Sequence, residues 1–183
     1  MDINLTAIPG VLVIETNTHE DVRGSFMRLF CQQELSGILG ARSIIQINKS
    51  VTIQKGTIRG LHFQYSPYAE MKLVRCLKGK IFDVAVDLRK DSRTFLQWHS
   101  EILTPENNKM MAIPEGFAHG FQTLDHDSEV LYLHTAEYQT EFEGGVLFDD
   151  PQLNIQWPMV CIDISNRDRQ HSLLDAHFTG LSA

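Results

Sequence analysis

Ile81-Phe82-Asp83-Val84-Ala85-Val86-Asp87 is the stretch of this chain that decides the fold. Apolar and polar residues alternate along it, and a period of two is typical of a β-strand, not of a helix. The alternation puts Ala85 and the two aspartates on one face of the strand, and Phe82, Val84 and Val86 on the other. Two carboxylates are therefore predicted to point into the same compartment.

Similar short runs rich in Val, Ile, Leu and Phe recur on both sides of this strand. Turn-forming residues such as Lys78-Gly79 and Pro114-Glu115-Gly116 separate them. Many short strands at this spacing predict an all-β sandwich or barrel. The predicted strands cover residues 11–15, 43–49, 57–64, 71–77, 80–87, 96–103, 109–113, 120–123 and 130–136.

Helical patterns are few. Residues 31–38 are predicted to form a short helix before Gly40, and Ser165-Asn166-Arg167-Asp168 resembles a capping box that opens a terminal helical segment. The chain has no composition shift, low-complexity tract or internal repeat that would divide it. We therefore expect residues 1–183 to form a single domain.

Composition excludes several classes of function. A net charge of −7 and a pI near 5.5 argue against a general nucleic-acid or anionic-membrane binder, because such proteins present a positive surface. The cysteines, Cys31, Cys76 and Cys161, are odd in number and widely separated, which predicts neither a disulfide framework nor a zinc knuckle and fits a reducing cytoplasm. Without a leader-like segment or an apolar run of about 18 residues, neither export nor membrane insertion is expected.

The run Arg59-Gly60-Leu61-His62-Phe63-Gln64 is the first candidate for chemistry. It places a potential general base, His62, three residues from a permanent cation, Arg59, which suits an anionic substrate. In a regular strand, His62 and Gln64 would share one face, while Arg59, Leu61 and Phe63 would share the other. On this run alone, a structural histidine bonded to a neighbouring backbone group is an equal alternative.

Three further side chains could take part in such chemistry. His119 lies between two glycines after a tight turn, where the backbone can approach a ligand closely. Lys72 shares a predicted strand face with Val74 and could stabilise an oxyanion. Tyr132 is a possible proton donor. The alternatives are a loop-capping histidine, a solvated lysine and a core tyrosine.

The sequence argues against a metal centre and against several common enzyme classes. Barrels with inward histidines often hold a metal through a His-x-His pair, but here the pair reads His62-Phe63-Gln64, and glutamine is a poor transition-metal ligand. A site built from His62, His119 and a carboxylate stays open. No GxSxG, P-loop or GxGxxG motif occurs. The remaining acid–base groups suit proton transfer beside a carbonyl.

Taken together, the motifs resemble a known family, the dTDP-4-dehydrorhamnose 3,5-epimerases and related nucleotide-sugar epimerases. The resemblance depends on Arg-Gly-Leu-His-Phe-Gln at 59–64, Lys-Leu-Val-Arg at 72–75, Phe-Asp-Val-Ala-Val-Asp-Leu-Arg at 82–89 and Ile-Pro-Glu-Gly-Phe-Ala-His-Gly-Phe at 113–121. It implies a double-stranded β-helix of the cupin type, a homodimer and an NDP-4-keto-6-deoxyhexose substrate. It also implies that no metal or organic cofactor is needed.

The resemblance also implies roles for individual residues. His62 matches the family's base, Asp168 the carboxylate that orients it, Tyr132 the general acid and Lys72 the cation beside the C4 oxygen. Arg59, for the diphosphate, and Tyr138, for the nucleobase, match substrate-binding positions, as do His119, Glu143, Gln46, Asn48 and Arg167. Arg23, with Phe26 nearby, would reach into the partner's site.

Several positions depart from the family pattern, namely Val22, Arg28, Ile47, Glu70, Met71, Leu133 and Glu137. They cluster at expected nucleotide or sugar contacts and leave the four catalytic matches intact. The donor nucleotide, and inversion at C3, C5 or both carbons, therefore stay open. So do two other classes, a cupin that only binds a sugar nucleotide and a metal-dependent cupin oxygenase.

Overall fold

The computed structural model describes residues 1–175 and 177–182. Short strands dominate it, and the helical segments are single turns. In chain order the elements are β1 (Asp2–Leu5), β2 (Leu12–Glu15), β3 (Thr18–Asp21), β4 (Gly24–Met27), α1 (Ser36–Leu39), β5 (Gln46–Thr52), β6 (Thr57–Gln64), β7 (Lys72–Lys78), β8 (Ile81–Asp87), β9 (Trp98–Leu103), β10 (Lys109–Ile113), β11 (Phe117–Thr123), β12 (Ser128–His134), a 3-10 turn (Thr140–Phe142), β13 (Glu143–Gly145), β14 (Asp163–Ile164) and α2 (Asn166–Arg169).

The strands form two sheets and a separate hairpin. The first sheet has the order β1-β2-β10-β7-β12-β5, and the second has the order β13-β6-β11-β8-β9, with β14 parallel beside β6. All other pairings between these strands are antiparallel among the described residues. Strands β3 and β4 form the hairpin. The predicted all-β class is confirmed.

The core lies between the two sheets. One buried cluster joins Val74 and Val130 of the first sheet to Ala85 and Phe121 of the second. A second cluster covers the other side of β8, where Val84 packs against residues of the segment after β13. Strand β8 is therefore buried on both faces, as expected for a central strand.

The alternation predicted for β8 is confirmed, but its two carboxylates do different things. Asp83 lies beside His119, with its Oδ1 2.7 Å from Nε2 of that ring. Asp87 instead accepts hydrogen bonds from Arg89, Ser92 and Thr94 in a separate network. Sharing a strand face did not bring both carboxylates into one site.

Some predicted boundaries were wrong. The strand expected at 43–49 begins at Gln46 and continues to Thr52, and the helix expected at 31–38 contains only the turn Ser36–Leu39. Strands β1, β3 and β4 were not predicted. They are largely exposed, so the burial that produces an alternating pattern is missing from them.

A β-bulge in β6 changes which residues of that strand face the same way. His62 pairs with His119 and Arg59 pairs with Phe121, so three steps along β6 match two along β11. The extra residue reverses the alternation, and Arg59 therefore faces the same side as His62, contrary to the prediction. Gly60, at φ +108°, permits the bulge, because a Cβ there would lie 2.6 Å from Gly120 Cα.

The turn α2 begins with the predicted cap. The Ser165 side chain accepts a hydrogen bond from Asp168 N–H at 3.0 Å, as an N-cap residue does. This turn packs on β6, which brings Asp168 to His62 across a sequence separation of 106 residues. Within the described residues, no helix has the length and apolar character needed to span a membrane.

Candidate active site

A cavity of about 410 Å³ opens between the two sheets. All the predicted catalytic residues line it: His62, Lys72, Tyr132 and Asp168. Most of the predicted binding residues do so as well, namely Asn48, Arg59, His119, Tyr138, Glu143 and Arg167. His62 and Tyr132 come from facing sheets, so they stand on opposite walls of this cavity.

His62 and Asp168 form a hydrogen-bonded pair. Nε2 of the ring lies 2.8 Å from Oδ1, while Oδ2 accepts a hydrogen bond from Gly60 N–H at 3.1 Å. Burial raises the pKa of Asp168, but the hydrogen bond from His62, the charge of that ring and the Gly60 N–H outweigh it, leaving this pKa well below its usual range. An ionised Asp168 accepts the Nε2 proton, so Nδ1 becomes the basic nitrogen. Nδ1 has no hydrogen-bond partner among residues 1–175 and 177–182.

Arg167 lies beside the same pair. Its Nη2 is 3.0 Å from His62 Nε2, its Nε donates to Asp168 Oδ1 at 3.2 Å, and its Nη1 donates to Glu143 at 2.9 and 3.1 Å. The Tyr138 hydroxyl donates a hydrogen bond to Glu143 at 2.8 Å. Arg167, Glu143 and Tyr138 thus place a cation, a carboxylate and an aromatic ring at the rim of the cavity, near His62.

Tyr132 is positioned on the first sheet by ring contacts and one hydroxyl. Its OH lies 2.9 Å from Ser50 Oγ, and its ring is 6.3 Å from that of His119 and 6.0 Å from that of His134. Burial raises the pKa of Tyr132 well above its usual range. The phenol therefore stays protonated near neutral pH and can act as a proton donor.

Lys72 belongs to a polar cluster that extends to Asn48. Its Nζ lies 3.2 Å from Glu70 Oε1, and the other oxygen of Glu70 accepts a hydrogen bond from His134 Nδ1 at 2.7 Å. Nε2 of His134 lies 3.3 Å from Asn48 Nδ2. Burial raises the pKa of Glu70, but the hydrogen bond from His134 and the charge of Lys72 leave this pKa below its ordinary value.

His119 is paired with its own carboxylate. Nε2 lies 2.7 Å from Asp83 Oδ1, and both side chains are buried. Burial raises the pKa of Asp83. Because His119 and His62 are opposed across β6 and β11, the two histidine–carboxylate pairs share one wall of the cavity.

Arg59 completes the polar lining. Its Nε donates to Thr52 Oγ1 at 2.9 Å and its Nη2 to the Val51 carbonyl at 3.3 Å. These contacts hold the guanidinium on the cavity wall, where the bulge has turned it. The strand alternation alone would have sent it to the other face.

Three predicted binding residues do not line this cavity. Gln46 is close to it, since its Oε1 accepts a hydrogen bond from Tyr138 N–H at 3.2 Å. Arg23 and Phe26 lie on the β3–β4 hairpin and are exposed, and Arg23 forms an ion pair with Asp21. The family resemblance predicts that Arg23 and Phe26 contact the site of a partner chain.

Sequence reasoning missed several residues of the site. His134 and Ser50 are not among the predicted site residues. His134 is paired with Lys72 across β12 and β7, and Ser50 lies on β5 with its Oγ against the Tyr132 hydroxyl. From the sequence, Glu70 is only a position that departs from the family pattern. The two-residue spacing of Glu70 and Lys72 is compatible with one polar cluster, but the sequence contains no sign that His134 joins them.

The cavity also contains atoms that could in principle bind a metal. Atoms of His62, Asp168 and His171 lie within 4.8 Å of one another. The guanidinium of Arg167 lies 3.0 Å from His62 Nε2 and 3.2 Å from Asp168 Oδ1, so a metal ion would compete with a fixed cation for these two atoms. The donor set is therefore poorly suited to a divalent metal.

Comparisons with known proteins agree on one family. The family model described as dTDP-4-dehydrorhamnose 3,5-epimerase matches residues 5–176. The chain is 44% identical over 172 residues to the dTDP-4-dehydrorhamnose 3,5-epimerase of Salmonella typhimurium, covering 93% of each protein.

Solved structures give the same result and confirm the predicted cupin-type fold. The crystal structure of the dTDP-6-deoxy-D-glucose-3,5-epimerase of Legionella pneumophila, in complex with dTDP-4-keto-L-rhamnose, superimposes with a TM-score of 0.92 at 38% identity, covering 100% of this chain and 98% of that one. A 3′-monoepimerase of Streptomyces bikiniensis, in complex with dTDP-quinovose, gives a TM-score of 0.85 at 29% identity, covering 92% of this chain and 85% of that one.

Proposed function

The chain belongs to the dTDP-4-dehydrorhamnose 3,5-epimerase family, and we propose that it inverts C3 and C5 of dTDP-4-dehydro-6-deoxy-D-glucose with His62 as base and Tyr132 as acid. It is an epimerase of that type. The observation that best supports these roles is that the two side chains stand on opposite walls of one cavity. Inversion requires a proton to leave one face of a carbon and another to arrive on the opposite face.

In the proposed reaction, Nδ1 of His62 removes the proton from a carbon next to the C4 ketone. The C–H bonding electrons form a carbon–carbon double bond, and the carbonyl electrons move to the C4 oxygen. Asp168, 2.8 Å from the ring, stabilises the imidazolium that forms. Tyr132 then donates a proton to the opposite face as the ketone reforms, which inverts the centre. The His62 imidazolium afterwards loses its proton to water and the tyrosinate takes one up from water, which resets the pair.

Lys72 is the proposed partner of the C4 oxygen. An enolate concentrates negative charge on that atom, and a largely buried ammonium group stabilises it more than water does. Lys72 projects into the same cavity as His62 and Tyr132. Because the reaction consists of proton transfers, it requires no oxidant or reductant, and in this proposal Lys72 takes the place of a metal ion as the cation at the enolate oxygen.

The remaining cavity residues are proposed to bind the dTDP portion. Arg59 and Arg167 offer guanidinium groups suited to a diphosphate, and the exposed ring of Tyr138 offers a stacking surface for thymine. His119, Glu143 and Asn48 add polar contacts, and Gln46 would act through the backbone of Tyr138.

We also propose a homodimer in which Arg23 and Phe26 of one chain reach the site of the other. The exposed apolar side chains of Phe26 on the hairpin, and of Ile47 and Val51 on the edge strand β5, support it. A mixture of Arg23→Ala and His62→Ala chains, co-refolded, tests it. If Arg23 acts across the dimer, mixed dimers contain one intact site and regain activity; if no activity returns, the proposal is wrong.

The function itself is tested in deuterated water. The protein is incubated with dTDP-4-dehydro-6-deoxy-D-glucose, and label at C3 and C5 is measured by NMR. We expect label at both carbons and inverted product. His62→Ala should abolish exchange and Lys72→Ala should slow it severely, with both variants still folded as measured by circular dichroism. Label at neither carbon would refute the enzyme assignment.

A monoepimerase is the second candidate, because the chain also resembles a 3′-monoepimerase across most of its length. The same experiment separates the two. Label and inversion at C3 or C5 alone would assign the monoepimerase reaction. A parallel incubation with another NDP-4-keto-6-deoxyhexose compares donor nucleotides, and faster exchange with that donor would replace dTDP in the proposal.

A further inference from the structure

The cluster of Glu70 and His134 beside Lys72 has no role in the proton transfers described above. Glu70 contacts both partners at once, Lys72 at 3.2 Å and His134 at 2.7 Å. Its side chain is 6% exposed, and those of Lys72 and His134 are each 12% exposed. A carboxylate so well buried needs partners for both oxygens, and these two residues provide them.

The backbone fixes this arrangement. Lys72 and His134 are directly opposed on β7 and β12, and Asn48 is opposed to Tyr132 on the next pair of strands. Asn48 Nδ2 lies 3.3 Å from His134 Nε2, and the ring of His134 stacks on Tyr132 at 6.0 Å. Because His134 is held on two sides, it can hold Glu70 in turn.

We infer that Glu70, held by His134, is a positioning residue that keeps Lys72 directed at the C4 oxygen of the substrate. This inference rests on the proposed role of Lys72. A lysine has a long and flexible side chain, and an unanchored ammonium would populate several rotamers in the cavity. A carboxylate at its side restricts Nζ to one region, so the ordering is complete before the enolate forms.

The charges in the cavity agree with this role. Glu70 is not assigned to the substrate itself, because Lys72 and His134 already occupy its two oxygens. Its negative charge is instead matched by Lys72, and its second oxygen by the ring N–H of His134. Glu70 is also one of the positions at which the sequence departs from the family pattern.

The test compares Glu70→Ala, Glu70→Gln and the matched control Glu101→Gln. Glu101 makes the same kind of contacts outside the cavity, 2.7 Å from Lys109 Nζ and 3.7 Å from His99 Nε2. The rate of inverted-product formation, measured by NMR over a range of substrate concentrations, gives kcat and KM for each variant. In Glu70→Ala we expect kcat to fall about tenfold or more while KM changes by less than about threefold.

Glu70→Gln should recover kcat to within about threefold of wild type, because an amide oxygen can still accept from Nζ. Glu101→Gln should leave both constants unchanged. If Glu70→Ala keeps kcat within about twofold of wild type, or raises KM alone, the positioning role is wrong. A wild-type protein that incorporates no label would instead refute the proposed function.

His134→Ala supplies an independent measurement if Glu70→Ala does not fold. Because His134 acts through Glu70, its loss should lower kcat by about threefold or more with KM unchanged. Where Glu70→Ala does fold, His134→Ala should add nothing to it in the double variant. The inference would be overturned if the losses of kcat in the two single variants multiplied in the double variant, or if His134→Ala left kcat unchanged.

Discussion

Replacing Asp168 by asparagine should disable the base while preserving the shape of the site. The side chains are nearly identical in size, and the amide oxygen can still accept the Gly60 N–H that Oδ2 accepts at 3.1 Å. What is lost is the negative charge 2.8 Å from His62 Nε2, together with the oxygen that accepts the Nε2 proton. That charge matters most after proton abstraction, when the ring becomes an imidazolium.

The loss can be estimated from the distance. Two unit charges 2.8 Å apart attract by about 6 kcal/mol at an effective dielectric constant of about 20. His62 is 21% exposed and Arg167 offsets part of the carboxylate charge, so we take about half, which is about 3 kcal/mol. We therefore expect kcat in Asp168→Asn to fall by about a hundredfold, with KM nearly unchanged.

The rate at which inverted product forms at saturating substrate, measured by NMR, gives kcat. Asp150→Asn is the matched control, because Asp150 is also a buried carboxylate that accepts backbone N–H bonds, at 2.8 Å from Gln152 and 2.6 Å from Leu174, but lies outside the cavity. The control should lose stability without losing kcat. A folded Asp168→Asn protein with kcat within about fivefold of wild type would refute the charge-stabilisation reasoning.

Three further predictions concern chemistry, backbone and reactivity. Tyr132→Phe should keep deuterium uptake within about tenfold of wild type while inverted product falls about a hundredfold, because the base survives and the opposite-face donor does not; equal losses of both, read by NMR, would contradict this. Gly60→Ala should lose about 2–4 kcal/mol in denaturant unfolding, whereas Gly37→Ala, with open space around the added Cβ, should be nearly neutral; equal stabilities would contradict the bulge argument. Burial raises the pKa of Cys76 to about 11, so at about pH 8 its thiol should react with iodoacetamide only after unfolding, as mass spectrometry of the labelled peptide can establish; rapid native labelling would contradict it.

The central strands were predictable because burial imposes a period on them. The strands at Thr57–Gln64 and Lys109–Ile113 were predicted to the residue, and the two faces of β8 were predicted correctly. The hairpin β3–β4 is exposed along its length, so no core selects its residues and no period appears. The bulge in β6 could not be predicted either, because a glycine such as Gly60 permits a bulge but does not show that one forms there.

The site was predictable only in part, for a similar reason. The segments containing His62, Lys72 and Tyr132 could each be read as strands, so their entry into a shared cavity follows from the fold. The contact of His62 with Asp168 joins residues far apart in sequence, and only the family resemblance suggested it. The Glu70–His134 contact likewise depends on strand pairing across the sheet, which no local pattern specifies.

The choice between one and two inverted carbons cannot lie in the acid and the base. Inversion at C3 and inversion at C5 each use one base and one acid, and the same His62 and Tyr132 serve both if the sugar turns between them. The choice therefore lies in the groups that hold the sugar, among them Lys72 and the residues that position it. Hence Asp168→Asn should slow label entry at C3 and C5 by the same factor, whereas Glu70→Ala should change the ratio of the two. An unequal effect of Asp168→Asn would mean that a second base serves one of the carbons.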